Sequence, residues 1–118
     1  MVYWKSLHES SDTNAEIAAS ASQIFFTSDY DKQQLVKNQQ SFNALEINND
    51  DNTTPIDVYL DGLSSRKRRV FAKSSLVIAP EEGIYFNNVK VENTSGALAI
   101  AAGKIQLNAR VLKPVRER

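Results

Sequence analysis

The segment KIQLNARV, residues 104–111, decides the fold, because apolar and polar side chains alternate along it without a break. Its apolar members are Ile105, Leu107, Ala109 and Val111. Successive side chains of a β-strand point to opposite faces of a sheet, so one face of this segment is expected to be buried and the other solvated. A half-buried strand of this kind is typical of an antiparallel sheet.

Shorter runs with the same period of two precede this segment, and polar or glycine-containing turns separate them. In residues 56–60, for example, the apolar side chains alternate with Asp57 and Tyr59, which are expected to face outward. The asparagine pair at residues 87–88 shifts the inward parity by one residue, which predicts a β-bulge. The whole pattern predicts an all-β antiparallel β-sandwich over residues 23–118, of which a jelly-roll-like arrangement is one form.

Residues 1–22 are predicted to be an N-terminal arm or a short helix. Helix-forming residues fill positions 14–23, but Ile17 is the only large apolar side chain among them. A stable surface helix needs a wider apolar stripe, so this stretch is either a marginal helix or an extended arm. The tip of the arm is too apolar for a free tail, and we expect it to pack on the sandwich or on a neighbouring subunit.

Two short stretches of the chain resemble each other. Leu45–Asn49 reads LEINN and Val89–Asn93 reads VKVEN, and a polar turn follows each. Either the two stretches mark related hairpins of a pseudo-symmetric sandwich, or the match is a coincidence between half-buried strands that end in asparagine.

The composition offers little chemistry. The chain has 118 residues, which fits one domain, and it contains no Cys and one His, so disulfides and zinc sites of the usual Cys and His kind are excluded. A Ser-His-Asp triad would depend on His8 in the arm. The acidic residues Asp50, Asp51, Asp57 and Asp61 lack the spacing of a calcium loop. The sequence therefore predicts no enzyme, no metal site and no cofactor, and no apolar run is long enough for a membrane span.

The zero net charge hides an asymmetry between the two halves of the chain. Residues 1–62 hold three Lys against ten Asp or Glu, a charge of −7, and residues 63–118 hold eleven Lys or Arg against four Glu, a charge of +7. If the halves intermix in one sandwich, the charges pair locally. If they lie on different faces, they favour head-to-tail association between subunits.

Two groups of residues are candidates for a partner interface, the apolar tip of the arm and a basic run. A basic run can bind nucleic-acid phosphates, but the absence of net positive charge argues against that and favours a solvated or interface loop. The interface candidates are Val2, Tyr3, Trp4, Leu7, Arg66, Lys67, Arg68 and Arg69. A separate hypothesis is glycan binding, because sugars stack on exposed aromatic rings, and its candidates are Trp4, Tyr59 and Tyr85.

Residues 42–111 also carry a sequence of turns that resembles small structural proteins found in bacteriophage structural gene sets. The elements that carry the resemblance are Leu45–Asn49, Ile56–Gly62, Pro80–Phe86, Asn93–Gly96 and Ala101–Ile105. The resemblance implies a virion component, made in the host cytoplasm, that forms a homo-oligomer or docks on another capsid or tail protein. It brings no active-site residue with it. The alternative from another class is a carbohydrate-binding or receptor-binding β-sandwich module.

Overall fold

The computed structural model describes residues 2–26, 41–50 and 52–116, and most of these residues lie in β-strands. The strands are β1 (Val2–Thr13), β2 (Ser22–Phe25), β3 (Ala44–Asn48), β4 (Ile56–Leu60), β5 (Lys67–Val70), β6 (Ser75–Ile78), β7 (Val89–Asn93) and β8 (Gln106–Arg116). Two single-turn 3-10 helices, Ser64–Arg66 and Pro80–Glu82, lie between them. No helix in the described part of the chain is long and apolar enough to cross a membrane.

The strands form two four-stranded antiparallel sheets. The first has the order β1-β8-β3-β6 and the second has the order β2-β7-β4-β5. The pairings are nested: β1 pairs with β8, β2 with β7, β3 with β6, and β4 with β5. The prediction of an all-β antiparallel sandwich is confirmed.

The core contains apolar side chains from both sheets, in the alternation that the sequence predicts. Ile105, Leu107 and Ala109 are fully buried, as are Val58 of β4 and Val91 of β7. Burial of a Val, Leu or Ile side chain stabilises a fold by about 1.5–3 kcal/mol relative to leaving it exposed, so these inward rows hold the two sheets together.

The predicted parity shift at residues 87–88 is present, but the predicted β-bulge is wrong. Phe86 is buried in an isolated bridge with Phe42, and β7 begins three residues later, at Val89. Between them the backbone N–H groups of Asn87 and Asn88 both donate to Asp61 Oδ1, at 2.7 and 3.1 Å. The shift therefore occurs in the connection that leads into β7. A register shift does occur elsewhere, in β1.

The N-terminal region is extended, so the helical alternative is wrong. Ile17, the one large apolar side chain of residues 14–23, is buried and forms a β-bridge with Ile100. An extended chain is what allows this side chain to enter the core while its backbone pairs with Ile100. Asn14 is also buried, and its side chain accepts a hydrogen bond from Ile105 N at 2.9 Å. Of the two places expected for the tip of the arm, the structure shows the sandwich, because β1 pairs with β8 from Val2 to Thr13.

The two similar stretches, Leu45–Asn49 and Val89–Asn93, occupy equivalent positions in the fold. Both β3 and β7 are inner strands, and β3 pairs with β8, which follows β7, while β7 pairs with β4, which follows β3. The match also extends backward to Phe42-Asn43 and Phe86-Asn87, so that FNALEINN aligns with FNNVKVEN. The two phenylalanines contact each other, with ring centroids 5.6 Å apart.

The asparagine that ends each stretch has the same role in both halves. Asn49 and Asn93 are buried, and each side-chain amide donates to loop carbonyls. Asn49 Nδ2 donates to the carbonyls of Thr54 and Phe71, at 3.0 and 3.2 Å. Asn93 Nδ2 donates to the carbonyl of Leu98 at 2.8 Å, and to those of residues 17 and 18 at 3.2 Å. Each asparagine thus links its own loop to another loop that connects the two sheets.

Candidate functional site

The most prominent surface feature is a two-stranded extension of the first sheet. β3 pairs with β8 only as far as Arg110, whereas β1 continues along β8 to Arg116. We call residues 2–8 and 111–116 the ribbon. The fold measures 54 × 29 × 26 Å along its principal axes. The outer side of β1, away from β8, has no strand beside it in the described part of the chain.

Side-chain hydrogen bonds at two places are among the contacts that hold the ribbon to the sandwich. The Asn43 side chain pairs with the backbone of Leu112, since its Nδ2 donates to the Leu112 carbonyl and its Oδ1 accepts from the Leu112 N–H, both at 2.8 Å. Trp4 Nε1 donates to Glu81 Oε1 at 2.7 Å and so links β1 to the turn after β6. The first contact extends the pairing of β8 beyond β3, because an amide side chain replaces a backbone partner.

A groove of about 370 Å³ lies beside the ribbon. Its lining residues are Trp4, Leu7, Ser41, Asn43, Tyr85, Val111, Leu112, Lys113 and Pro114. The Tyr85 side chain is 59% exposed and Leu7 is 43% exposed. Most of the polar side chains of the lining already have partners: Asn43 is engaged by Leu112, and Ser41 Oγ donates to Asn87 Oδ1 at 2.8 Å. The groove therefore presents aromatic and aliphatic surface together with the Lys113 ammonium group.

The structure places the three candidates for glycan binding at two separate locations. It brings Trp4 and Tyr85 together at the groove, although 81 residues separate them in the sequence. Tyr59 lies in the second sheet, where its hydroxyl is 3.4 Å from Glu92 Oε1 and Lys90 Nζ is 4.7 Å from its ring centroid. Burial and the neighbouring Glu92 carboxylate raise the pKa of Tyr59.

The first group of interface candidates, the residues at the tip of the arm, lies in β1. Tyr3, Trp4 and Leu7 all belong to the ribbon, and Tyr3 and Leu7 are exposed. Val2 lies in β1, and its side chain is outside the described part of the structure.

All four residues of the basic run form ion pairs within the chain. Arg66 contacts Asp61 at 3.1 Å, and Arg68 contacts Glu82 at 3.7 Å. Lys67 and Arg69 both contact Asp57, at 3.7 and 2.8 Å. Three of these pairs join the acidic half of the chain to its basic half, so the two halves intermix and their charges pair locally.

Asp57 is a residue whose environment the sequence does not reveal. It has the outward parity that the alternation predicts, yet it is only 3% exposed, because cationic side chains of β5 cover it. Arg69 lies directly across the strand pair and donates to both carboxylate oxygens, at 2.8 and 3.1 Å. These hydrogen bonds hold the pKa of Asp57 below its ordinary value, and burial opposes them.

The other residues considered for chemistry do not converge. Asp61 binds backbone N–H groups and Arg66, Asp50 is exposed, and Asp51 lies outside the described residues. The described residues contain no group of three or more His, Asp or Glu side chains that could hold a metal ion. His8 lies in β1 with its ring stacked on that of Phe42, the centroids 6.0 Å apart. Comparisons of the chain with protein-family models, curated proteins and solved structures found no match.

Proposed function

We propose that this protein is a non-enzymatic structural or assembly protein of a phage particle, a capsid or tail component that associates with other subunits. The observation that carries the proposal is the ribbon, beside whose β1 strand the described residues place no further strand, together with the groove next to it. An edge strand offers backbone donors and acceptors to another chain, and the aromatic and aliphatic side chains that line the groove offer area that association would bury. Both features are suited to holding a neighbouring protein.

The strand order supports the same proposal. Nested pairing of eight strands in two sheets is the arrangement of a jelly roll, and we propose that this sandwich is one. Jelly rolls occur in viral capsid proteins and also in lectins, so the architecture is compatible with both hypotheses about function. The sequence of turns that resembles phage structural proteins is what favours the virion.

A carbohydrate-binding role is the second candidate, and one observation favours it: Trp4 and Tyr85 lie at one groove. A sugar site needs polar groups that fix the hydroxyls of the ring as well as a stacking surface. The Asn43 amide and the Ser41 hydroxyl already have protein partners. These two groups are therefore already engaged, and the groove offers a sugar fewer polar contacts than its lining residues alone suggest.

The test is to search for the chain in purified particles. We expect its peptides there, by mass spectrometry, at a fixed ratio to the major particle proteins. Introduction of Tyr85→Ala into the gene should lower that ratio, while Tyr59→Ala, a tyrosine of the other sheet, should leave it unchanged. Peptides that occur in the infected cell but not in particles would contradict the proposal, and binding on a glycan array that is lost in Tyr85→Ala would favour the sugar module instead.

A further inference from the structure

β6 is the last strand of the first sheet, and its side away from β3 has no strand beside it in the described part of the chain. One hydrogen bond identifies the backbone groups that point to this side. The Ser74 carbonyl accepts from the Asn49 N–H at 2.9 Å, so residue 74 is directed toward β3. This direction alternates along an antiparallel strand, so Ser75 and Val77 direct their N–H and carbonyl groups to the open side.

The sequence of β6 lacks the features that keep other strands away from the edge of a sheet. Such features are charged side chains, Pro and bulges. Ser75–Ile78 reads SLVI, its register against β3 is regular, and the Val77 side chain is 61% exposed. By contrast, the edge strand that precedes it, β5, carries Lys67, Arg68 and Arg69. An exposed apolar edge of this kind is suited to pairing with another strand.

The positions along β6 match those of a second copy of the same strand. When two copies pair antiparallel about a twofold axis perpendicular to the sheet, the residue at the axis must direct its backbone groups to the partner, as Val77 does. With the axis there, the two Val77 residues face each other, and Ser75 faces Ala79 of the other copy. On the core side Leu76 faces Ile78. Every facing pair is uncharged and lies on one face of the sheet, and the extended backbone of Ala79 (φ −86°, ψ 152°) continues the strand.

The charges that flank β6 favour a second copy over an unrelated strand. Lys73 precedes β6 and Glu81 follows it, and both side chains are exposed. In an antiparallel pair the start of one strand lies beside the end of the other. Lys73 of each copy therefore lies on the same side of the axis as Glu81 of the other copy, and the opposite charges attract.

We propose that two copies of this chain pair antiparallel along β6, with Val77 at the twofold axis. Each Val77 N–H then donates to the carbonyl of the other Val77, and each Ser75 N–H donates to the Ala79 carbonyl of the other copy. The Ala79 N–H takes no part, because it donates to Glu82 Oε2 at 2.8 Å. The first sheets of the two copies form one continuous eight-stranded sheet. The pairing goes beyond the proposed function, because it uses the edge of the first sheet opposite the ribbon and identifies a second copy as the partner.

A single cysteine tests the register directly, because the chain contains no Cys. Val77→Cys places the two thiols beside the axis, so a short bismaleimide added to the purified full-length chain should join two copies. Leu98→Cys is the matched control, since Leu98 is 63% exposed and lies in the connection between β7 and β8. We expect a covalent dimer on a denaturing gel for Val77→Cys and none for Leu98→Cys. Equal crosslinking of the two variants would overturn the pairing.

Removal of the N–H group at the axis tests the hydrogen bonds. By sedimentation equilibrium we expect a dimer for the wild-type protein. Val77→Pro should raise the dissociation constant at least about tenfold, because it deletes both hydrogen bonds at the axis while the bonds from β6 to β3 remain. Val77→Thr keeps the N–H group and a β-branched side chain, so its dissociation constant should stay within about threefold of the wild-type value.

A further variant separates the pairing from damage to the fold. Val77→Lys places an ammonium group opposite Glu46 of β3, so the chain should stay folded by circular dichroism. The two lysines at the axis repel each other, so the dissociation constant should rise at least about fivefold. A wild-type monomer, or a Val77→Lys chain that dimerises like the wild-type chain, would overturn the pairing. A monomer whose peptides are present in particles would overturn the pairing and keep the proposed function, whereas a dimer absent from particles would do the reverse.

Discussion

The β4–β5 pair and the β1–β8 pair occupy equivalent places in the two halves of the sandwich, yet they are built differently. β4 and β5 pair over four residues, and ion pairs around Asp57 cover their outer face. β1 and β8 pair over eleven positions, and their far end holds exposed Leu7 and the like charges of Lys5 and Lys113. One pair satisfies its charges internally, and the other leaves like charges and an exposed apolar side chain at its surface. This difference is the reason why we propose the ribbon, and not the β4–β5 pair, as the surface for contacts outside the chain.

The largest expected loss of stability comes from the contact between Phe42 and Phe86, which occupy matching positions in the two similar stretches. Phe42→Ala removes a fully buried ring that packs on Phe86 and Phe26, and it should lower the free energy of unfolding by about 3–5 kcal/mol. Chemical denaturation measures this change. Phe71→Ala removes a ring that is 65% exposed and is the matched control, with an expected change within about 0.5 kcal/mol. Equal losses in the two variants would contradict the packing described for the core.

The buried asparagines test whether the two halves are equivalent in energy as well as in position. Asn49→Ala and Asn93→Ala each remove an amide that serves several loop carbonyls, and each should cost about 2–4 kcal/mol, since buried carbonyls lose their donors. Denaturation midpoints measure the losses. Asn48→Ala, a half-buried neighbour on the outer face, is the control. A large loss in only one of the two variants would show that the resemblance between the halves is limited to sequence and position.

Much of this architecture can be predicted from local pattern, and the exceptions have physical reasons. The alternation of residues 104–111 predicts β8 because each apolar side chain there enters the core. β1 is not recognisable in this way, because it is mostly polar and contains a bulge, and it becomes a strand through pairing with β8. The burial of Asp57 depends on the side chains of Lys67 and Arg69, which a local pattern around Asp57 does not show.

The candidate site is harder to predict than the fold. Trp4 and Tyr85 line one groove because the ribbon lies beside the connection between β6 and β7. The sequence shows that both residues are aromatic, but it does not show that they are neighbours while Tyr59 lies on the other sheet. The sequence around Asn43 does not indicate that its side chain binds the backbone of β8, because its partner Leu112 is 69 residues away. Contacts of this range are set by topology.

Asp57 makes the stability of the β4–β5 pair sensitive to acid. Its pKa is lowered in the folded chain, chiefly by hydrogen bonds from Arg69, so the stabilisation is fully present above the ordinary value of 3.8 and is lost as the pH falls through the lowered pKa. Asp57→Asn should cost about 1.5–3 kcal/mol at pH 7, and the difference from the wild-type protein should shrink in acid. Denaturation at several pH values measures this, with Glu16→Gln as an exposed control. A difference that is constant with pH would contradict the assigned role of the ion pairs.

The smallest expected effect concerns how the ribbon is held. Trp4→Phe removes the hydrogen bond to Glu81 on a solvated surface, so the global free energy of unfolding should fall by only about 0.5–1 kcal/mol. Because β3 does not support residues 111–116, loss of this contact should open the ribbon locally while the sandwich stays folded. Amide hydrogen exchange should therefore accelerate in residues 2–6 and 111–116, and the amides between β4 and β5 serve as the internal control. Glu81→Gln is the control: it keeps an oxygen that can accept from the Trp4 indole, so its amides should exchange as in the wild-type chain. Equal acceleration in the β1–β8 and β4–β5 pairs of Trp4→Phe would contradict local opening, because it would mean that the ribbon and the sandwich open as one unit.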